Sequence, residues 1–308
     1  MQVPGGGLAA SPHLLAENRR RLSAIFWRRP WLRGVLLLVP PLAWFVLLYI
    51  AALVVLFVSA FWKVDEFTSE LVRVWNVDNF KTIVEEPTYR RIAGRTIGVA
   101  AAVTVTDAII AFPFAYYMAR LASPRMRALL FVLILLPLWS SYLVRVYAWR
   151  LMLNNDGVIN WTLGKLGLPD LGVAYSVWAM WIVFSYIWLP FMITPVYAAL
   201  ERIPDSFLEA SGDLGARGWT TLRRVILPLA LPGVLAGSIF TFSLTLGDYI
   251  TPVLVGGGPG SQFIGNVVYD SVGVSNNVPF AAAYATVPLV VMAAYLLLAR
   301  RSGAFEAL

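Results

Sequence analysis

Cysteine and histidine are nearly missing from this 308-residue sequence, which has no cysteine and a single histidine. The absence of cysteine excludes disulfide bonds, thiol catalysis and cysteine-ligated metal centres. The one histidine, His13, stands in a Gly/Pro-rich leader and cannot build a metal site alone, so we interpret it as a solvated residue. We therefore expect no metal site in this chain.

A nucleotide-binding loop is missing as well. The Walker A pattern G-x-x-x-x-G-K-[ST] occurs nowhere in the chain, and the nearest glycine cluster, "GGGPG" at 256–260, contains no lysine. The chain therefore cannot bind ATP through such a loop, and we expect that it is not an enzyme and holds no cofactor directly.

Charge is scarce, since 13% of residues are charged and 59% are hydrophobic, with a mean hydropathy of +0.72. Soluble domains carry about a quarter charged residues. A membrane-crossing helix needs about 20 mostly apolar residues. Six stretches qualify, which predicts an all-α membrane protein with six transmembrane helices. These stretches are 34–62, 95–119, 128–150, 174–199, 229–253 and 281–299.

Basic residues predict the orientation, because cytoplasmic loops retain an excess of lysine and arginine. Six arginines lie in 19–33, three in 120–127 and four in 200–227, against one lysine in 151–173 and no basic residue in 254–280. The loop 63–94 has five basic residues but also six acids, and its length suits a small external cap. Both termini are therefore predicted to be cytoplasmic.

The predicted organisation has three parts. Residues 1–33 form a basic cytoplasmic tail that is retained rather than cleaved as a signal peptide, because the apolar run after it is too long for one. Residues 34–300 form the six-helix domain, with the external cap at 63–94 and a cytoplasmic loop at 200–227. Residues 301–308 form a second cytoplasmic tail.

The cytoplasmic loop contains the polar stretch Glu209–Pro228, "EASGDLGARGWTTLRRVILP". Pro204 and Asp205 favour a helix start, and Gly215 suits a left-handed helix end. We expect two short helices at an angle, with Pro228 stopping or kinking the second. Two interpretations stay open on these residues alone: a docking surface for another protein, or an amphipathic loop resting on lipid headgroups.

This stretch resembles the cytoplasmic signature of binding-protein-dependent ABC importer permeases: Glu-Ala-Ala, three residues, Gly, nine residues, Ile-x-Leu-Pro. Serine replaces the third residue and valine replaces isoleucine. The resemblance implies that the stretch docks on an ATP-hydrolysing subunit and transmits its closure to the membrane bundle. The residues implied in coupling are Glu209, Ala210, Ser211, Asp213, Gly215, Leu227 and Pro228.

Three further stretches, 136–160, 246–258 and 264–272, look like the permeases of spermidine/putrescine importers, and the similarity runs from about residue 35 to 300. It implies the type I importer permease fold in a bacterial cytoplasmic membrane. It also implies a second permease subunit, a paralogue that forms a heterodimer with this chain, and an extracytoplasmic solute-binding protein. Two ATPase subunits are implied as well, which bind ATP and magnesium and supply the hydrolysis. The solute implied is a small cation of the polyamine class, with a permease for another small solute as the alternative.

Ionisable residues inside spans are costly and mark candidate sites. Asp107, Asp248 and Arg145 lie in predicted spans two, five and three. A polyamine path requires carboxylates with aromatic neighbours, which supply cation–π contacts. The candidate path residues are Asp248, Tyr249, Trp139, Tyr142 and Asp107. The alternative is that Arg145, interpreted as structural or gating, pairs with an aspartate only to neutralise it.

Two other functional classes remain open at this point. An ion-coupled transporter or channel would need no ATPase and would transport solute as the purified chain alone. An intramembrane enzyme has little support, because the spans contain neither a paired acidic dyad nor a histidine metal motif.

Overall fold

The computed structural model describes residues 30–301 apart from 66, 67 and 69. Residues 1–29, including His13, and residues 302–308 lie outside the described residues, and with them most of both predicted tails. The described chain is mainly helical. The helices are α1 (Pro30–Trp44), α2 (Ala51–Ser59), α3 (Asp78–Glu85), α4 (Pro87–Tyr116), α5 (Pro124–Leu135), α6 (Tyr142–Leu153), α7 (Val158–Lys165), α8 (Val177–Glu201), α9 (Asp205–Asp213), α10 (Gly218–Thr221), α11 (Leu227–Gly247), α12 (Ile250–Val255), α13 (Ile264–Gly273) and α14 (Val278–Arg301).

Several of these helices form longer rods. Five helical rods within the described residues are long and apolar enough to cross a membrane, and a bent pair of helices raises the number to six if it counts as one span. The first rod carries mostly exposed apolar side chains, which suit contact with lipid. The five rods are Gly34–Ser59, Pro87–Leu121, Val177–Glu201, Gly218–Gly247 and Val278–Arg300.

The third predicted span is sharply bent in the structure rather than one continuous helix. The apolar stretch 128–150 is split between Pro124–Trp139 and Tyr142–Lys165, which meet at 95°. Pro137 lacks the N–H that would continue the helical bonds, and its ring clashes with the preceding turn. Ser140 satisfies the freed Pro137 carbonyl through its amide at 3.2 Å and its hydroxyl at 2.7 Å.

The segment predicted as a cap, 63–94, is shorter in the structure, because helix α4 already begins at Pro87. It contains a two-stranded antiparallel hairpin, β1 (Lys63–Val64) and β2 (Leu71–Val72), followed by α3. The second span begins at Pro87 rather than at residue 95, because proline suits the first helical turn, where its missing N–H has no helical partner in any case.

Helix α8 packs most extensively against α11 and α4. Glycines allow the α8–α11 approach: a Cβ on Gly233 would lie 2.4 Å from Ala199 Cβ, and one on Gly237 would lie 2.7 Å from Met192 Sδ. Small residues at such contacts let membrane helices gain packing that lipid cannot supply. Helices α4, α8 and α11 together position the candidate coupling residues around Glu209 and the candidate path residues around Asp248.

Candidate functional site

Helix α9 has a well-defined end. Gly215 has φ +76°, and the amides of Ala216 and Gly215 donate to the carbonyls of Ser211 (3.0 Å) and Gly212 (2.8 Å). These two bonds form a Schellman motif, which closes a helix through a residue in the left-handed region. The glycine end predicted from sequence is therefore present, and it sets the direction in which the chain leaves α9.

The start of α9 is held by an arginine that sequence reasoning missed. Arg120 forms an ion pair with Asp205 at 2.7 Å and donates to the carbonyls of Leu200, at 2.7 Å, and Ile203. A cation at a helix C-terminus satisfies carbonyls that have no helical partner. Arg120 thereby ties the end of the second span to the end of α8 and to α9. A basic residue at the end of a span gave no sequence signal for this role.

The predicted coupling residues divide into two groups. Glu209, Ala210 and Asp213 are exposed, and Leu214 beside them is 88% exposed. Ser211 instead is buried, and its hydroxyl lies 2.9 Å from that of Thr221. Ser211 therefore closes the angle between α9 and α10, while its neighbours face outward.

An open groove of about 600 Å³ lies beside this outward face. Phe207, Ala210 and Leu214 contribute its apolar side, and Arg217 and Arg224 contribute positive charge. An apolar concavity with charged margins suits a protein surface better than it suits a flat layer of headgroups. The shape favours the docking interpretation of this segment.

The prediction of a separate second short helix was wrong. Helix α10 continues through a π-helical segment, Leu222–Ile226, into α11, so that Gly218–Gly247 is one helix of 30 residues. A widened turn next to Pro228 relieves the clash between the proline ring and the preceding turn. Leu227 and Pro228 are exposed within this continuous helix. A displacement at its first turn is therefore directly connected to the membrane-spanning part.

The second group of candidates lies at the other end of α11. Asp248 is 9% exposed, and its Oδ1 accepts from the amides of Ile250 (2.8 Å) and Thr251 (3.0 Å). Its Oδ2 accepts from the hydroxyls of Tyr142 and Thr251, the latter at 3.3 Å. Asp248 thus caps α12, and the predicted fifth span, 229–253, ends earlier, at Gly247.

Aromatic rings surround this capped break, although not all the predicted ones. Tyr142 stacks on Trp188, with ring centroids 5.8 Å apart, and the Arg145 guanidinium lies 5.9 Å from the Tyr142 centroid. Tyr249 stacks on Tyr269 at 4.8 Å. Trp139 is 91% exposed and takes no part in these stacks.

Asp107 stands apart from the Asp248 group. It is fully buried, and neither carboxylate oxygen has a hydrogen-bond partner. The Ser185 hydroxyl lies near this carboxylate but does not reach hydrogen-bond geometry. The alternative pairing of Arg145 with an aspartate is not found, since no ion pair among the described residues joins Arg145 to Asp107 or Asp248. The described residues also contain no group of three side chains suited to a metal ion.

The capping role of Asp248 leads to a testable expectation. Asp248→Ala should lower the free energy of unfolding by about 1–3 kcal/mol, because it removes a helix cap and one of the two hydrogen-bond partners of the Tyr142 hydroxyl, the other being the Thr251 hydroxyl at 2.7 Å. Asp248→Asn should lose much less, because asparagine also caps helices. Thermal unfolding of the detergent-solubilised protein measures both. A stable Asp248→Asn protein that has lost solute uptake would contradict a purely structural role.

Comparison with known proteins places the chain among transport permeases. A relative, the Inner membrane ABC transporter permease protein YdcU of Escherichia coli (strain K12), is 47% identical over 301 residues, or 94% of this chain and 95% of that protein. The Spermidine/putrescine transport system permease protein PotB of Haemophilus influenzae is 32% identical over 219 residues, or 70% of this chain and 76% of that protein.

A solved structure of a bacterial alginate ABC transporter, in complex with an alginate pentasaccharide-bound periplasmic protein, shares the fold. Its TM-score is 0.70 at 19% sequence identity, covering 93% of this chain and 98% of that chain. Residues 111–303 match the family described as binding-protein-dependent transport system inner membrane component. The family membership predicted from Glu209–Pro228 is confirmed. The chain belongs to this family and is the membrane-spanning permease subunit of an ABC importer, with the type I importer permease fold.

Proposed function

We propose that this permease imports a small cationic solute of the polyamine class across a bacterial cytoplasmic membrane, with both termini in the cytoplasm. An extracytoplasmic binding protein delivers the solute. A second, related permease subunit completes the passage, and two ATPase subunits bind ATP and magnesium below it. The substrate class is supported by the relatives named for spermidine and putrescine, and by the stacked tyrosines Tyr249 and Tyr269 near the end of α11.

The observation that carries the coupling part is the exposed face of α9 beside an open groove. Helix α9 is held at both ends, because Arg120 ties its start to two spans and Gly215 closes its end with two backbone bonds. A short helix that is fixed at both ends transmits a displacement to the spans connected to it, whereas a mobile loop would not. When ATP draws the two ATPase subunits together, α9 moves with them and turns the spans attached to it.

Reconstitution tests the proposal directly. The complete transporter in proteoliposomes, with its binding protein and internal ATP, should take up radiolabelled putrescine or spermidine. Unlabelled polyamines should compete for uptake, and a sugar or a neutral amino acid should not. Competition only by an unrelated solute would support a permease for that solute. Gradient-driven uptake by the purified chain alone would support the ion-coupled transporter instead.

Charge reversal on α9 tests the docking face. Glu209→Lys should reduce solute-stimulated ATP hydrolysis by about tenfold or more, since a misplaced charge in a protein interface costs more than about 1.4 kcal/mol. Membrane insertion should be unchanged because Glu209 is exposed. Glu85→Lys makes the same change at an exposed position of α3 and should leave hydrolysis intact. Normal uptake by Glu209→Lys would contradict a coupling role for this residue.

A further inference from the structure

A pocket of about 260 Å³ opens between α12 and α13, at the end of α11 away from α9. Pro252 and Val253 give it an apolar wall, and Gln262, Asn266 and Asp270 give it polar groups. That volume suits one end of an aliphatic solute.

The carboxylate of Asp270 is available in this pocket. Asp270 is half-buried, and its side chain makes one long contact, 3.5 Å from Oδ2 to the Gln262 amide nitrogen. No lysine or arginine in the described part of the chain forms an ion pair with it. A half-buried carboxylate without a cationic partner favours a cation from outside the chain.

The surroundings of Asp270 are fixed. Arg95 donates to the carbonyls of Gly260 and Gln262, with 3.1 Å from its Nε to the latter, so these N–H donors are directed at the loop and not at Asp270. Asn266 accepts from the Phe263 amide at 2.9 Å and donates to the Tyr249 carbonyl at 2.8 Å. These bonds hold the α12–α13 connection, and with it the pocket walls, in one arrangement.

Asp248, the carboxylate favoured from sequence, is committed elsewhere. Its two oxygens already accept two backbone amides and two hydroxyls, and it is 9% exposed. Binding a solute there would break the cap of α12. Asp270 has only its single long contact to lose.

We propose that the Asp270 pocket binds one ammonium group of the transported amine, with the carboxylate as the charge partner and the Pro252–Val253 wall against the adjoining methylenes. This inference rests on the proposed function, because it assigns the recognition of a cationic solute to a particular residue. The stacked Tyr249–Tyr269 pair beside the pocket offers a neighbouring surface for the rest of the chain of the solute.

Uptake kinetics of the complete reconstituted transporter test the site with putrescine and spermidine as probes. Asp270→Asn should raise KM for both by about tenfold or more, because a charge-assisted hydrogen bond is lost. The maximal rate should change less. Asp270→Glu should keep KM within about threefold, because it retains the charge in a pocket with room for one more methylene.

Asp170→Asn is the matched control, since it removes an exposed carboxylate from the loop before α8 and should leave KM unchanged. Unchanged KM in Asp270→Asn would overturn the site while leaving polyamine import standing. A reduced amount of protein in the membrane with normal KM would also overturn it, because that result indicates a structural role. If the wild-type transporter takes up neither amine, the proposed substrate class fails and the cation site fails with it.

Discussion

Gly233→Val is expected to leave little folded permease in the membrane. A Cβ at this position would lie 2.4 Å from Ala199 Cβ and 2.6 Å from the Pro195 carbonyl oxygen. The second contact is with backbone, so no side-chain rotation relieves it and α8 must separate from α11. Overpacking of this kind typically costs about 1–3 kcal/mol and more where the backbone is rigid. Here it would disrupt the most extensive helix contact in the fold.

The amount of membrane-inserted protein and the midpoint of its thermal unfolding in detergent measure this effect. Gly98→Val is a suitable control because Gly98 is also a glycine within a span, α4, but a Cβ there has nothing within 4 Å. The control should accumulate and unfold as the wild type does. Equal stability of the Gly233→Val and Gly98→Val proteins would refute the close α8–α11 approach.

Gly215→Val is expected to uncouple transport from ATP hydrolysis while the protein still inserts and folds. The left-handed region costs an L-residue about 1–2 kcal/mol, and a β-branched side chain more. Valine should therefore break the bonds from Ala216 to Ser211 and from Gly215 to Gly212. The end of α9 would then lose its fixed direction. Stimulation of ATP hydrolysis by loaded binding protein should fall about tenfold or more.

Gly215→Asn is the sharper control at the same position. Asparagine adopts the left-handed conformation more readily than other non-glycine residues, so this variant adds bulk without forcing the helix end open. It should keep most of the stimulation. If asparagine and valine abolish stimulation equally, the side chain itself obstructs docking, and the helix-end geometry is not the cause. Wild-type coupling in Gly215→Val would refute both explanations.

Local signals in the sequence predicted the start and the end of α9 well. A helix start at Pro204–Asp205 and a left-handed glycine at 215 depend on backbone geometry within a few residues, and both are present. The partners of these residues were not predictable. Ser211 pairs with Thr221, and Asp205 pairs with Arg120, 85 residues earlier in the chain. Such contacts depend on how the helices meet.

The effects of the prolines on helix continuity were predicted less well, because proline breaks a helix in some surroundings and is accommodated in others. Pro137 accompanies a 95° break, whereas Pro228 is accommodated within a 30-residue helix by a neighbouring π-helical turn. After Pro137, serines and exposed backbone offer new hydrogen-bond partners for the bent chain. Around Pro228 the helix remains packed against α8, and that packing favours continuity.

The sequence by itself determined that this chain spans a membrane with apolar helices, lacks its own nucleotide loop and presents a polar segment with the signature of an ABC importer permease. Hydropathy, short motifs and backbone preferences are local properties, so they can be recognised from neighbouring residues in the sequence. Only the tertiary structure decided which carboxylates are available. Asp248 became a helix cap and Asp107 a buried group, while Asp270 remained half-open in a pocket. Availability depends on the partners that folding brings to each carboxylate, and one of them, Tyr142 at Asp248, is 106 residues away in the chain.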